Sequence, residues 1–181
     1  MNAKLENALT NVETTYGELV EIANSMLKPL FDPINQLVST INSTINALSI
    51  EQIRDYILQL QLKAFEISET KEKAALKAEL AETLQKEKFA VSFNSLEGSA
   101  AVKEKLALVE ASPEAVSETL YNLVANLLRT KLDQLHRLVD ALKSVLMSRM
   151  QETKFMNIGS NAEIPATVGQ TYQYNGTPTK F

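Results

Sequence analysis

The sequence has no cysteine and no tryptophan, a single histidine, and only five glycines and five prolines in 181 residues. Without cysteine there are no disulfides, thiolate zinc sites, iron–sulfur ligands or cysteine nucleophiles. His136 has no second imidazole or thiolate to help it hold a transition metal, which ordinarily takes three or more convergent ligands. Scarce glycine and proline, with 6% aromatics, argue against a turn-rich β protein. No phosphate-cradling glycine loop or nucleophile elbow occurs, and Gly98 and Gly159 stand alone. The first residues, Met1 to Asn7, carry acids and amides where a signal peptide has an apolar run, and no segment approaches the roughly 20 apolar residues of a membrane span. A net charge of −4 removes any global electrostatic case for nucleic acid, so a polyanion site has to be local.

What is present is helical material: 45% apolar residues, with Ala, Leu, Glu, Lys and Gln abundant. The expected fold class is all-α, long helices forming a coiled-coil or bundle oligomer, with an extended non-helical C-terminal tail. Leu5, Leu9, Val12, Tyr16, Leu19, Ala23, Met26 and Leu30 alternate in steps of four and three, the signature of a heptad seam. Pro29 and Pro33 predict a kink or hinge, since each removes an amide and disfavours helical geometry in the residue before it. The seam resumes through Ile34, Leu37, Ile41, Ile45 and Leu48, diluted by Asn, Ser and Thr that make a weak helix former.

Ser49-Ile50-Glu51-Gln52 matches a capping box and starts a long helix with the stripe Ile53, Ile57, Leu60, Ala64 and Ile67. From Lys71 to Lys88 the stripe thins to Leu76, Leu80 and Leu84 amid Glu and Lys, which reads as a solvated face. Asn94 to Ser99 predicts a turn, Ser99 a cap for a short helix over residues 101–110, and Ser112-Pro113-Glu114 the start of the last helix. That helix carries Leu128, Leu132, Leu135, Val139, Leu142 and Leu146, widened by neighbouring leucines beyond what one partner helix covers. The predicted organisation is an N-terminal pair of heptad helices over 1–48 with the hinge at 29–33, a main helical domain over 49–156, and a tail over 157–181 that Tyr172, Tyr174 and Phe181 would anchor on a neighbouring subunit. The oligomer seam is expected to use Leu5, Leu9, Val12, Tyr16, Leu19 and Met26 together with the six seam residues of the last helix.

The acidic pairs Glu79/Glu82 and Glu114/Glu118 lie among lysines rather than in an apolar pocket, so no catalytic, cofactor or metal site is expected. The one local excess of positive charge is at the C-terminal end. Arg129, Lys131, Arg137, Lys143, Arg149 and Lys154 outnumber Asp133, Asp140 and Glu152 by three (six minus three), a candidate nucleic-acid surface.

Between Lys71 and Glu152 several runs carry a family resemblance. They are the Ala/Glu/Lys helix before Phe89, Glu97-Gly98-Ser99-Ala100-Ala101-Val102-Lys103-Glu104-Lys105, Ala111-Ser112-Pro113-Glu114, Lys131-Leu132-Asp133-Gln134-Leu135, and Ala141-Leu142-Lys143-Ser144-Val145-Leu146 with Arg149. This stretch resembles the bacteriophage recombination mediators of the UvsY type. The resemblance implies a homo-oligomer in the host cytoplasm that binds single-stranded DNA and recombination proteins, with Arg129, Lys131, Arg137, Lys143 and Arg149 facing DNA. Residues 1–50 and the tail suit a virion structural or scaffold-like protein equally well, and a phage-encoded inhibitor of a host protein is a third expectation.

Overall fold

The computed structural model describes residues 3–160, with side chains from residue 12 to residue 155. Four helices follow in order: α1 (Ala3–Thr44), α2 (Ile50–Ser95), α3 (Ala100–Glu110) and α4 (Ser112–Ser160). Among the described residues there is no strand, as the composition predicts, and no helix is long and apolar enough to cross a membrane.

α2 and α4 form an antiparallel pair. At one end the Arg54 guanidinium reaches Met150 Sδ at 3.9 Å, midway Lys77 Nζ lies 5.2 Å from the centre of the Tyr121 ring, and at the other end Lys88 Nζ donates to Glu114 Oε1 at 2.9 Å. α1 runs parallel to α4, with Tyr16 near Thr119, Asn35 against Lys131, and Ile45 against Arg149. The three long helices share one core. Its largest fully buried side chains are Ile34 and Ile41 in α1, Ile53, Leu60 and Ile67 in α2, and Leu128, Leu135 and Leu142 in α4. Within each helix these recur every seven residues, the period that keeps one seam facing its partners along a left-handed supercoil. A heptad seam of the expected kind is thus built within the chain.

Three features of the helices bear on the predicted organisation. Helix α1 passes through Pro29 and Pro33 without interruption. Both prolines are exposed, as is Ser25, which with Pro29 carries the carbonyls they leave without an amide donor, while Leu27, Leu30, Phe31 and Ile34 hold the same face against the core. The boundary at residue 48 is a turn between helices of that single core, closed by Ala47 N–H donating to Thr44 O at 2.8 Å. Helix α4 continues to Ser160 and so takes in the first four residues of the predicted tail. Tyr172, Tyr174 and Phe181 lie outside the described residues.

The caps show what local sequence does. Ser49 and Gln52 form the complete capping box: Gln52 N–H donates to Ser49 Oγ at 3.2 Å and Ser49 N–H to Gln52 Oε1 at 2.8 Å. Ser99 occupies the cap of α3 but its side chain makes no capping bond. Gly98, at φ +121°, supplies a turn that a side chain would strain. Ser112 works in reverse of the expectation. Its hydroxyl donates back to Val109 O at 2.8 Å, a carbonyl whose helical donor would be the amide that Pro113 lacks. With Ala111 buried between them, α3 and α4 are two helices broken at a single residue.

The C-terminal half of α2 is packed by small residues. Ala74, Ala78 and Ala81 are buried, and Leu76, Leu80 and Leu84 are exposed. Alanine lets helix axes approach closely, and the backbones of α2 and α4 run close together over far more of their length than α1 does with either.

Candidate interaction surfaces

The six basic residues of α4 do not form one stripe. At about 100° per residue, Lys131 and Arg149 fall on one side of the helix, the side that meets α1. Lys131 Nζ donates to Asn35 Oδ1 at 2.5 Å and lies 5.5 Å from the Phe31 ring centre, and burial in this crevice lowers its pKa from the ordinary lysine value. Arg149 Nη2 donates to Ile45 O at 2.8 Å and Asn46 O at 3.1 Å, holding the carbonyls that α1 presents as it ends. Both residues hold the bundle together, and neither is turned outward to a polyanion.

Lys143 pairs with Asp140 at 3.2 Å, beside an open groove of about 430 Å³ between α2 and α4 that Phe65, Ser68 and His136 also line. His136 is exposed there. Arg129, Arg137 and Lys154 are exposed as well, but Asp133 and Asp140 share the outer face between the first two, so charge along α4 alternates in sign. Among the described residues no group of three or more His, Asp or Glu side chains is placed to hold a metal ion.

The expected oligomer seam divides in two. Leu19, Leu128, Leu135, Val139 and Leu142 are buried in the chain's own core, and Leu132 and Leu146 pack against it half-buried. Val12, Tyr16 and Met26 are exposed, with Leu27 rather than Met26 entering the core, because the bundle follows the seven-residue ladder of Leu27, Ile34 and Ile41. The side chains of Leu5 and Leu9 lie outside those described.

A long exposed apolar feature on α2 escaped the sequence reading. Leu58, Leu62, Phe65, Leu76, Leu80 and Leu84 all face solvent, Phe65 with 73% of its surface free. At about 100° per residue they fall within a sector of about 100° on α2, on the side away from the face packed on α4, with Phe65 at its edge beside the groove. Between the two groups of three sits one ion pair on the same stripe, Lys73 Nζ donating to Glu69 Oε1 at 2.7 Å, which lowers the Glu69 pKa. The signal was present as steps of three and four residues within each group, but it could be recognised as a second face only once the alanines were known to be the buried one.

No protein-family model, curated protein or solved structure matches this chain. Its function has therefore to be read from the geometry of its own surfaces.

α3 adds to the apolar surface. Val102, Leu106 and Val109 are exposed on one side of it, and only Ala107 is buried. Monomeric soluble proteins seldom leave large contiguous apolar patches in water, and such surfaces are characteristic of contacts with other proteins.

Proposed function

We propose that this chain acts by association rather than catalysis, as a self-assembling helical component of the scaffold or structural kind. The observation that carries the reading is the outer face of α2, a second apolar stripe on a helix whose first is already committed to the core. A helix apolar on two opposite sides gains from a partner on each. The decisive measurement is the solution mass of the full chain by light scattering or sedimentation across micromolar concentrations. Self-association is expected, and a strictly monomeric chain would sink the reading.

A second reading keeps the role that the resemblance to recombination mediators implies, an accessory that binds single-stranded DNA. What supports it is narrower: Arg129, Arg137 and Lys154 are exposed on α4, and an assembly would repeat them in space. Fluorescence anisotropy with a labelled oligonucleotide at two salt concentrations tests it. Binding that weakens with salt and is lost in an Arg129→Ala/Arg137→Ala variant supports the role, and no binding at micromolar protein ends it.

A further inference from the structure

The outer stripe of α2 reads almost the same in both directions. About the level of Lys71, Leu58 and Leu84 lie thirteen residues to either side, Leu62 and Leu80 nine, and Glu69 and Lys73 two, while Phe65 and Leu76 lie six and five away. Two identical helices laid antiparallel across a two-fold axis at that level match each residue with its counterpart. A two-fold interface requires a patch complementary to itself, and an arbitrary apolar face has no such symmetry.

We propose that two copies of this chain pair antiparallel through this face. Leu58, Leu62 and Phe65 of one copy pack against Leu84, Leu80 and Leu76 of the other, and the two Glu69–Lys73 pairs face each other across the axis. The inference rests on the self-assembly reading above and names the surface that carries it.

Charge selects the orientation. In a parallel pair Glu69 meets Glu69 and Lys73 meets Lys73, like charges at the centre of the contact. In the antiparallel pair each carboxylate meets the other copy's ammonium, so two intrachain pairs close into an alternating ring of four charges. Glu66 and Lys77, which flank the stripe on one side, are likewise brought level with each other across the two copies.

The extent is sufficient. From Leu58 to Leu84 the stripe spans about 39 Å of helix. Its side chains, each roughly half to three-quarters free, offer on the order of 700 Å² per copy, near the ~800 Å² per partner of a standard interface. All six side chains are exposed in the folded chain, so docking needs no rearrangement of the fold.

The absence of native cysteine permits a clean test on the full-length chain. Leu62→Cys/Leu80→Cys should give a covalent dimer under mild oxidation, because the antiparallel register sets each thiol against the other kind within the ~7 Å between Cα atoms that a disulfide spans. Leu62→Cys alone should not, and a covalent dimer from that single variant would indicate parallel pairing and overturn the proposal. Glu69→Lys and Lys73→Glu should each weaken self-association, and mixing the two variants should restore it as a heterodimer. Leu62→Glu/Leu80→Glu should raise the dissociation constant at least about thirtyfold while circular dichroism stays unchanged. If the wild-type chain associates and these variants leave that association intact, the α2 interface is wrong while self-assembly stands. If the wild-type chain is monomeric, both fall.

Discussion

Arg149 shows how a charge that sequence assigns to a ligand can belong to the fold. Its guanidinium donates from one nitrogen to two successive carbonyls of the α1–α2 turn, where helix α1 has run out of amide donors. Hydrogen bonds from a charged donor contribute about 1.5–3 kcal/mol each, so Arg149→Ala should lower the urea midpoint by an amount corresponding to about 2 kcal/mol. Arg149→Lys should recover only part of it, because an ammonium is more strongly hydrated than a guanidinium and costs more to place against those carbonyls. Unchanged midpoints would remove Arg149 from the packing. A second test concerns Glu114, whose pKa is lowered by the Lys88 ammonium and by its own backbone amide at the start of α4. A carboxylate with a depressed folded pKa contributes stability that is present above its unfolded value and lost as pH falls through the folded one. Stability should therefore drop on acidification below about pH 4.3, the ordinary glutamate value, and Glu114→Gln should flatten that limb. Equal slopes for both proteins between about pH 3 and pH 5 would show that the pair contributes nothing.

At the scale of the element, the four helices differ in how openly the sequence declares them. The capping box at Ser49 is legible because both of its bonds are local. The ladders Ile34–Ile41, Ile53–Ile67 and Leu128–Leu142 are legible because large apolar residues at regular spacing point one way. The C-terminal half of α2 is opaque for a physical reason. Alanine serves equally on a wet face and in a tight seam, so a reading that ranks residues by hydrophobicity buries Leu76, Leu80 and Leu84 and leaves Ala74, Ala78 and Ala81 outside. Only the close approach of α4 decides otherwise. The basic residues of α4 pose the same problem, since their number is plain but the side on which α1 docks is not. Helix α1 offers a prediction of its own. A Cβ added at Gly17 meets nothing within 4 Å, and residues 12–18 are exposed throughout. Gly17→Ala should thus stabilise the protein by about 0.5–1 kcal/mol through the unfolded chain and helix propensity alone, read as a higher urea midpoint. A lower midpoint would mean that this part of α1 is packed against something that a methyl group disturbs.

Across the whole molecule, stability should be unevenly distributed. The half of the bundle next to the α1–α2 turn holds the eight largest fully buried side chains among the described residues, whereas α1 before Leu19 buries none of its described ones. Amide hydrogen exchange should therefore be slowest around Leu60, Ile67, Leu128 and Leu135, and fastest in α1 near Gly17. Uniform protection along α1 would contradict that gradient. The alanine seam has a consequence for how this protein tolerates change. In most helical proteins the large apolar residues are the constrained ones and alanine is the permissive filler. Here the order is reversed along half of α2: adding two or three carbons at Ala74, Ala78 or Ala81 forces two backbones apart, while trimming Leu76 or Leu80 leaves the chain's own packing untouched. Random substitution would find the smallest side chains of that half of the helix the least replaceable for folding, and Leu76, Leu80 and Leu84 under restraint chiefly from whatever they meet outside the chain.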